Sequence, residues 1–229
     1  MATNDKRYCI EITTKKTVDG NTKAALLKAA AWPEGSTIKV AFMDGKPGLQ
    51  KKVRECAKRW TAAGLANLTL DFVTDPNKAD IRIAFKSGDG SWSYVGTDCL
   101  GIPKTEPTMN YGWLTETSPQ TEIDEVVLHE FGHALGLIHE HQNPLGGIKW
   151  NKAAVTADLS GPPNNWDPAT IEHNIFKKYE PGAVEATKVD KKSIMMYPIP
   201  AAWTLDGFSA GFNTGLSDDD KALIAKVYP

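Results

Sequence analysis

One stretch of the chain, residues 129–139, constrains the fold more than any other, because it reads HEFGHALGLIH. His129 and His133 are four residues apart, so on a helix their imidazoles lie on the same face, one turn apart. Gly136 follows three residues later, and glycine tolerates the left-handed backbone that ends a helix. The spacing therefore predicts a helix that stops at this glycine and a chain that turns back to bring His139 toward the other two histidines.

Three neutral imidazoles with this spacing are a ligand set for zinc. They leave the fourth position of the ion open to water, which distinguishes a catalytic site from a structural one. Glu130 is placed to reach that water without binding the metal, and zinc lowers the pKa of bound water to roughly 7. A lone histidine on a helix is usually a core or surface residue, but the extended pattern is far more specific. We predict one catalytic Zn²⁺ held by His129, His133 and His139.

The residues before this motif support the helix. Residues 123–128 carry apolar side chains at helical spacing, and acidic residues stand near the start, where the helix dipole favours them. Either Thr121 or Ser118 is expected to cap the helix. The other two histidines, His141 and His173, are interpreted as residues that do not bind the metal.

A second motif, SIMMYP at residues 193–198, lies further along the chain. Together with the zinc motif it resembles the metzincin clan of metallopeptidases, which have a methionine-containing turn below the zinc. Two further features resemble the astacin family: Glu140 directly follows the third histidine, and Tyr197 comes two residues after Met195. The match is most similar to a divergent, microbial-type branch of that family. The resemblance covers the chain from about residue 31 to its end.

The resemblance implies a zinc-dependent endopeptidase that cleaves protein or peptide substrates with Glu130 as the general base. It also implies that Met195 is the turn methionine and that Tyr197 is both a displaceable zinc ligand and a catalytic residue. A buried tyrosine with a bonded hydroxyl is the alternative for Tyr197. Two alternative functions stay open, a zinc amidase acting on cell-wall peptides and a catalytically silent peptide-binding protein on the same scaffold.

The same resemblance implies an α+β, zincin-like metzincin domain with a twisted, mainly parallel sheet and an antiparallel edge strand. The active-site cleft would lie between an upper lobe at residues 31–139 and a lower lobe at residues 140–229. The strand at residues 108–114 is expected to be the edge that binds extended substrate. Periodicity predicts further strands at residues 8–12, 37–43, 68–73 and 81–85, helices at residues 49–63 and 166–179, and a loop through residues 91–94. Ser217 and Asp220, three residues apart, predict a capping box that opens a final helix.

Residues 1–30 form an extension before this domain and are a candidate pro-segment. The chain has three cysteines, Cys9, Cys56 and Cys99, an odd number that does not indicate a disulfide framework. A Cys56–Cys99 pair stays open. Cys9 is interpreted as a packed strand residue, and the alternative is a thiolate ligand that keeps the zinc site latent.

Composition excludes several classes of protein. A formal net charge of −2 gives no basic footprint for nucleic acid, and no apolar run approaches the roughly 18 residues of a membrane span. A chain of 229 residues is within the range of one catalytic domain, and a monomer is expected. The start lacks the apolar region of a signal peptide, so the protein is cytoplasmic if Met1 is native and secreted if a leader was removed.

Overall fold

The computed structural model describes residues 7–13, 28–144, 146–179 and 189–229. Most of residues 13–30, for which the sequence is compatible with either helical or extended structure, lie outside these ranges. Among the described residues, six strands form one sheet in the order β1-β5-β6-β4-β2-β3. The strands are β1 (Ile10–Ile12), β2 (Thr37–Phe42), β3 (Thr69–Phe72), β4 (Ile81–Ala84), β5 (Ser91–Tyr94) and β6 (Met109–Tyr111).

The helices of the described residues fall on both sides of the zinc motif. They are α1 (Pro47–Ala57), α2 (Gln120–Ala134), α3 (Lys152–Leu159), α4 (Pro168–Ile171) and α5 (Asp218–Val227). A π-helical turn, Glu172–Phe176, continues α4, and a 3-10 turn, Lys58–Thr61, continues α1. The predicted helices at residues 49–63 and 166–179 therefore exist, but each changes its hydrogen-bond pattern before its end.

The expected position of the substrate-binding edge is wrong. The strand predicted at residues 108–114 is β6, and it lies inside the sheet, parallel to β4 and antiparallel to β5. The antiparallel strand is β5, at residues predicted to be a loop. Its serines are buried while Trp92 and Tyr94 are only half-buried, so its hydrophobic pattern is inverted and carries no strand signal.

The outer edge of β5 is covered by β1, from the start of the chain. The two strands are parallel, and Glu11 lies opposite Ser93. The alternation predicted for residues 8–12 is also inverted here, because Glu11 is buried while Ile10 and Ile12 are half-buried. A strand pairing that depends on a buried carboxylate cannot be recognised from apolar periodicity.

The main core lies between the sheet and the two long helices. Leu49 and Val53 of α1 are buried, as are Val127, Leu128 and Phe131 of α2. The indole N–H of Trp60 donates a 3.0 Å hydrogen bond to the carbonyl of Leu128. This packing fixes α2, and with it the first two histidines of the motif, against the sheet.

Two local predictions have different outcomes. Helix α2 follows Pro119 with no side-chain cap, so the caps expected from Ser118 and Thr121 are wrong; the Ser118 hydroxyl instead accepts a hydrogen bond from the Thr115 amide. The capping box of Ser217 and Asp220 at the start of α5 is confirmed.

The three cysteines are free buried thiols, so Cys56 and Cys99 do not form a disulfide. Within the described ranges, no helix is long and apolar enough to cross a membrane.

Candidate metal centre

The three histidines of the motif converge on one point. Nε2 of His133 lies 3.2 Å from Nε2 of His129 and 3.2 Å from Nε2 of His139. Nitrogens bound to one tetrahedral zinc ion at roughly 2.0–2.1 Å lie about 3.3 Å apart, so the arrangement fits zinc. Among the described residues, these histidines form the one group of candidate metal ligands.

The other nitrogen of each ring fixes its tautomer. Nδ1 of His129 lies 2.8 Å from the carbonyl of Ile194, Nδ1 of His133 lies 2.8 Å from that of Leu137, and Nδ1 of His139 lies 3.2 Å from Oε1 of Gln142. Since these partners are acceptors, each Nδ1 donates and each Nε2 keeps a free lone pair toward the centre. Burial lowers the pKa of His129 to about 4 and the pKa values of His133 and His139 well below their ordinary value, so all three rings are neutral ligands.

Gly136 turns the chain as its position in the motif predicted. Its φ is +100°, in the left-handed region, and the amide of Leu137 donates back to the carbonyl of Gly132. This turn ends α2 and returns the chain, so that His139 reaches the centre from outside the helix.

Glu130 is buried beside this cluster. Apart from the Cys9 thiol, no group among the described residues hydrogen-bonds its carboxylate. Burial raises the pKa of Glu130 well above its ordinary value, while the side-chain hydrogen bond with the Cys9 thiol lowers it. A buried carboxylate with so few donors is costly, so its retention next to three metal ligands fits a group that acts on a molecule held at the open metal position.

The turn at residues 193–198 lies directly below the histidines. A Cβ on Gly132 would overlap the sulfur of Met195, so the glycine inside the motif allows this methionine to pack against α2. The carbonyl of Met195 accepts a 3.0 Å hydrogen bond from the Glu140 amide. The turn therefore supports the metal centre at two places. The Ile194 carbonyl contacts His129, and the Met195 carbonyl contacts the backbone directly after His139.

Asp220 of α5 holds this turn in place. Its carboxylate accepts hydrogen bonds of 2.7 Å from the Ser193 hydroxyl and 2.8 Å from the Ile194 amide. The sequence identified Asp220 only as part of a helix cap. Its contact with the methionine turn was missed, because no local pattern signals a contact between distant segments. The contact of Gln142 with His139, three residues away, was missed as well.

Tyr197 lies next to the histidines, but its hydroxyl faces the start of the chain. Its ring centroid is 4.2 Å from that of His139, and its hydroxyl donates to the backbone carbonyl of Cys9. Its side chain is buried. The structure thus brings Tyr197 to the site, and its role as a zinc ligand stays a prediction.

Residues 7–13, which we call the N-terminal segment, run across the metal centre. The Tyr8 hydroxyl donates to the carbonyl of Pro198 at 3.1 Å, and the Tyr8 amide donates to Asn164 at 3.1 Å. Cys9 is buried near Glu130, and burial raises the pKa of its thiol; it is not part of the three-histidine group. The Glu11 carboxylate lies 3.6 Å from Nδ1 of His139, a contact that sequence analysis missed.

The remaining polar residues near the motif make structural hydrogen bonds. Nε2 of His141 lies 2.8 Å from the carbonyl of Asn174, and His141 is not part of the three-histidine group. Glu140 accepts hydrogen bonds from Asn143 and from the Asp190 amide, each at 3.2 Å. Burial raises the pKa of Glu140 to about 7, although these two hydrogen bonds lower it.

Comparisons with known proteins agree with this geometry. Residues 25–145 match the family model described as Astacin, a family of peptidases. Among solved structures, one titled "Structure of myroilysin" is 43% identical with a TM-score of 0.85, and the match covers 89% of this chain and 98% of that one. A crystal structure of myroilysin is 39% identical with a TM-score of 0.72, covering 99% of this chain and 92% of that one.

A more distant match shows the fold alone. It is high choriolytic enzyme 1, a hatching-enzyme zinc protease from the medaka Oryzias latipes, at 16% identity and a TM-score of 0.59, covering 91% of this chain and 98% of that one. A search of curated protein sequences found no match. Since the family model covers residues 25–145, which include His129, His133 and His139, and the identity to myroilysin is 43% over 89% of this chain, the chain belongs to the astacin family of metzincins and is a zinc endopeptidase that acts on peptide substrates.

Proposed function

We propose that His129, His133 and His139 bind the single catalytic zinc ion and that Glu130 is the general base for peptide-bond hydrolysis. The observation that carries this proposal is the buried Glu130 carboxylate beside three neutral imidazoles, with no hydrogen-bond partner among the described residues other than the Cys9 thiol of the N-terminal end of the chain. Zinc bound there supplies Lewis-acid polarisation of the substrate carbonyl and lowers the pKa of water.

The residues of the chain supply the proton transfers. Glu130 takes the proton of the attacking water and then delivers it to the leaving nitrogen. Tyr197 would be a further, displaceable ligand of the zinc ion, and its hydroxyl would stabilise the developing oxyanion. In the present arrangement that hydroxyl donates a hydrogen bond to the backbone carbonyl of Cys9. Stabilisation of the oxyanion by Tyr197 therefore requires the N-terminal segment to move away.

We also propose that residues 1–30 are a pro-segment and that the catalytic domain comprises residues 31–229. The pairing of β1 with β5 supports this, because it covers an edge at which an extended peptide would add as a strand. The burial of Cys9 near Glu130 supports a contribution of this residue to latency.

The function is tested by casein hydrolysis with zinc content measured in parallel. Wild-type protein is compared with Glu130→Gln, each before and after limited tryptic cleavage at residues 14–27, where Lys15, Lys16 and Lys23 stand. We expect zinc in both proteins and hydrolysis by the wild type alone, with a loss of about 10⁴-fold in the variant. Near-normal activity of Glu130→Gln would reject the general-base role.

The same assay separates the alternatives. Hydrolysis of muropeptides without hydrolysis of casein would identify a zinc amidase, and zinc binding with no hydrolysis of either would identify a silent scaffold. Activity that is equal before and after cleavage would reject the pro-segment. If Cys9→Ser leaves the latency of the uncleaved protein unchanged, the latency does not depend on this thiol.

A further inference from the structure

A fully buried glutamine lies beside the third histidine of the motif. Oε1 of Gln142 is 3.2 Å from Nδ1 of His139, and Nε2 of Gln142 donates a 2.6 Å hydrogen bond to the backbone carbonyl of His173. The Glu11 carboxylate is also near Nδ1 of His139, but its distance of 3.6 Å is too long for a hydrogen bond. Among the described residues, Gln142 is therefore the acceptor that the Nδ1–H of His139 meets.

The His173 carbonyl can accept this bond because the chain around it is wound as the π-helical turn Glu172–Phe176, which we call the π-turn. In an α-helix the amide of Lys177 would donate to the carbonyl four residues earlier, which is that of His173. Here it donates to the carbonyl of Glu172 instead, at 2.8 Å. The wider winding thus releases the His173 carbonyl to a partner outside the helix, and such turns are frequent at functional sites.

The released carbonyl decides which way the Gln142 amide faces. A carbonyl only accepts hydrogen bonds, so it takes the NH₂ group of the glutamine and leaves Oε1 toward His139. In the reversed amide two oxygens would face each other, and the NH₂ group would point at Nδ1 of His139. That ring would then carry its proton on Nε2, the nitrogen 3.2 Å from Nε2 of His133, and could not offer this lone pair to a metal.

The next carbonyl of the π-turn has the opposite effect on a neighbouring histidine. Nε2 of His141 lies 2.8 Å from the carbonyl of Asn174, so Nε2 carries the proton, while Nδ1 has no partner within the described ranges. Two consecutive carbonyls of the π-turn therefore place the proton of His139, through Gln142, on Nδ1 and that of His141 directly on Nε2. The first arrangement leaves Nε2 open to a metal, and the second does not.

We propose that Gln142 is a positioning residue for zinc binding and that the π-turn fixes the orientation of its amide. This role rests on the proposed function, since His139 must be a zinc ligand. Because the proton of His139 is held on Nδ1 before the metal arrives, the metal does not have to displace a proton from Nε2. The acceptor on Nδ1 also makes the ring a more basic ligand.

The tautomer is measured by NMR at neutral pH on the metal-free full chain labelled with ¹⁵N-histidine. In the wild type we expect the proton of His139 on Nδ1 and that of His141 on Nε2, so His141 is an internal reference. In Gln142→Met a large fraction of His139 should carry its proton on Nε2, because the thioether is only a weak acceptor. A wild-type His139 protonated on Nε2 would overturn the proposal.

Competition with a chelating dye gives the zinc affinity of the same proteins. We expect Gln142→Met to bind zinc roughly 10- to 100-fold more weakly than the wild type. Gln142→Glu keeps an acceptor for Nδ1 but offers no NH₂ group to the His173 carbonyl. It should therefore unfold at a lower temperature and yet bind zinc about as tightly as the wild type. Wild-type zinc affinity in Gln142→Met, or an equal loss in both variants, would show that the glutamine is merely structural.

The matched control is Gln50→Met in α1. Its NH₂ group also donates to backbone carbonyls, at 2.9 Å to that of Asp44 and 3.1 Å to that of Gly45, and its loss should leave zinc affinity unchanged.

The variant His139→Ala separates this role from the proposed function. Weak zinc binding by His139→Ala together with wild-type affinity in Gln142→Met rejects the positioning role alone, whereas wild-type affinity in His139→Ala rejects the ligand assignment as well. The expected tautomers and affinities without peptide hydrolysis by the wild type keep the positioning role and reject the peptidase mechanism.

Discussion

At the scale of single residues, the three histidines and Glu130 differ in how their polar atoms are satisfied. Each Nδ1 of the three histidines faces an acceptor, whereas the Glu130 carboxylate has no hydrogen-bond partner among the described residues other than the Cys9 thiol. The first condition fixes the imidazoles before metal binding, and the second suits the role of general base proposed for Glu130. This difference supports the separate roles that we propose for the histidines and for Glu130.

The hydroxyl of Tyr197 is expected to contribute less to catalysis than Glu130. Tyr197→Phe keeps the buried ring beside His139 and removes only the hydroxyl that would stabilise the oxyanion. We predict a fall in kcat of about 10²-fold with little change in KM, the lower end of the effect of one oxyanion donor. Steady-state kinetics on the cleaved protein measure this, and unchanged kcat would remove Tyr197 from the mechanism.

At the scale of elements, the zinc helix depends on the methionine turn and on α5. A chain of hydrogen bonds runs from the Asp220 carboxylate to the Ile194 amide, and from the Ile194 carbonyl to Nδ1 of His129. An element at the end of the chain therefore orients the first residue of the metal motif.

This dependence predicts that Asp220→Ala weakens zinc binding. The substitution leaves the Ile194 amide and the Ser193 hydroxyl without their acceptor, so we expect a loss of about 3 kcal/mol in the free energy of unfolding and roughly 10- to 100-fold weaker zinc affinity. Urea unfolding and competition with a chelating dye measure the two effects.

Ser217→Ala is the matched control, because it removes a cap from the same helix without touching the turn. It should cost about 1 kcal/mol and leave zinc affinity unchanged. Equal zinc affinity in wild type and Asp220→Ala would show that α5 stabilises the domain without orienting His129.

The packing of α2 against the methionine turn predicts a penalty at Gly132. Alanine there gains helix propensity of about 1 kcal/mol, but its Cβ would overlap the buried sulfur of Met195, and overpacking costs about 1–3 kcal/mol. We expect Gly132→Ala to lower the midpoint of urea unfolding. Gly211→Ala, where a Cβ meets nothing within 4 Å, should not, and a more stable Gly132→Ala would contradict the close approach.

At the scale of the whole molecule, the metal centre joins regions that are far apart in sequence. Its ligands come from α2 and the turn after it. Residues 193–198 and α5 support these ligands, and the N-terminal segment covers them. A metal bound at this junction stabilises every region that meets there, because it binds the folded chain and not the unfolded one.

Removal of zinc by a chelator should therefore lower the thermal midpoint of unfolding. With free zinc at about 1,000 times its dissociation constant, the loss is about 4 kcal/mol. Calorimetry with and without chelator measures it, and zinc but not magnesium should restore the midpoint. The His129→Ala variant should respond little to the chelator, and a wild-type midpoint that is insensitive to zinc removal would contradict a single metal site at this junction.

The chemistry of the centre and much of the local structure follow from the sequence. The spacing of three histidines and Gly136, the capping box of α5 and the strands β2, β3 and β4 could all be predicted, because each depends on neighbouring residues and on the period of a helix or strand. The loop predicted at residues 91–94 and the edge predicted at residues 108–114 were wrong, since the position of a strand within a sheet depends on its partners.

Which distant groups meet depends on the folded chain as a whole. Arg82 lies in a strand yet is fully buried, because its guanidinium donates to carbonyls such as those of Glu106 and Ile102. Glu11 is buried for a similar reason, by Tyr179 from far along the chain. The ligands and the candidate base could thus be predicted from the order of the residues. That the N-terminal segment covers them could be seen only in the folded molecule, because burial of a charged side chain depends on partners that no local pattern specifies.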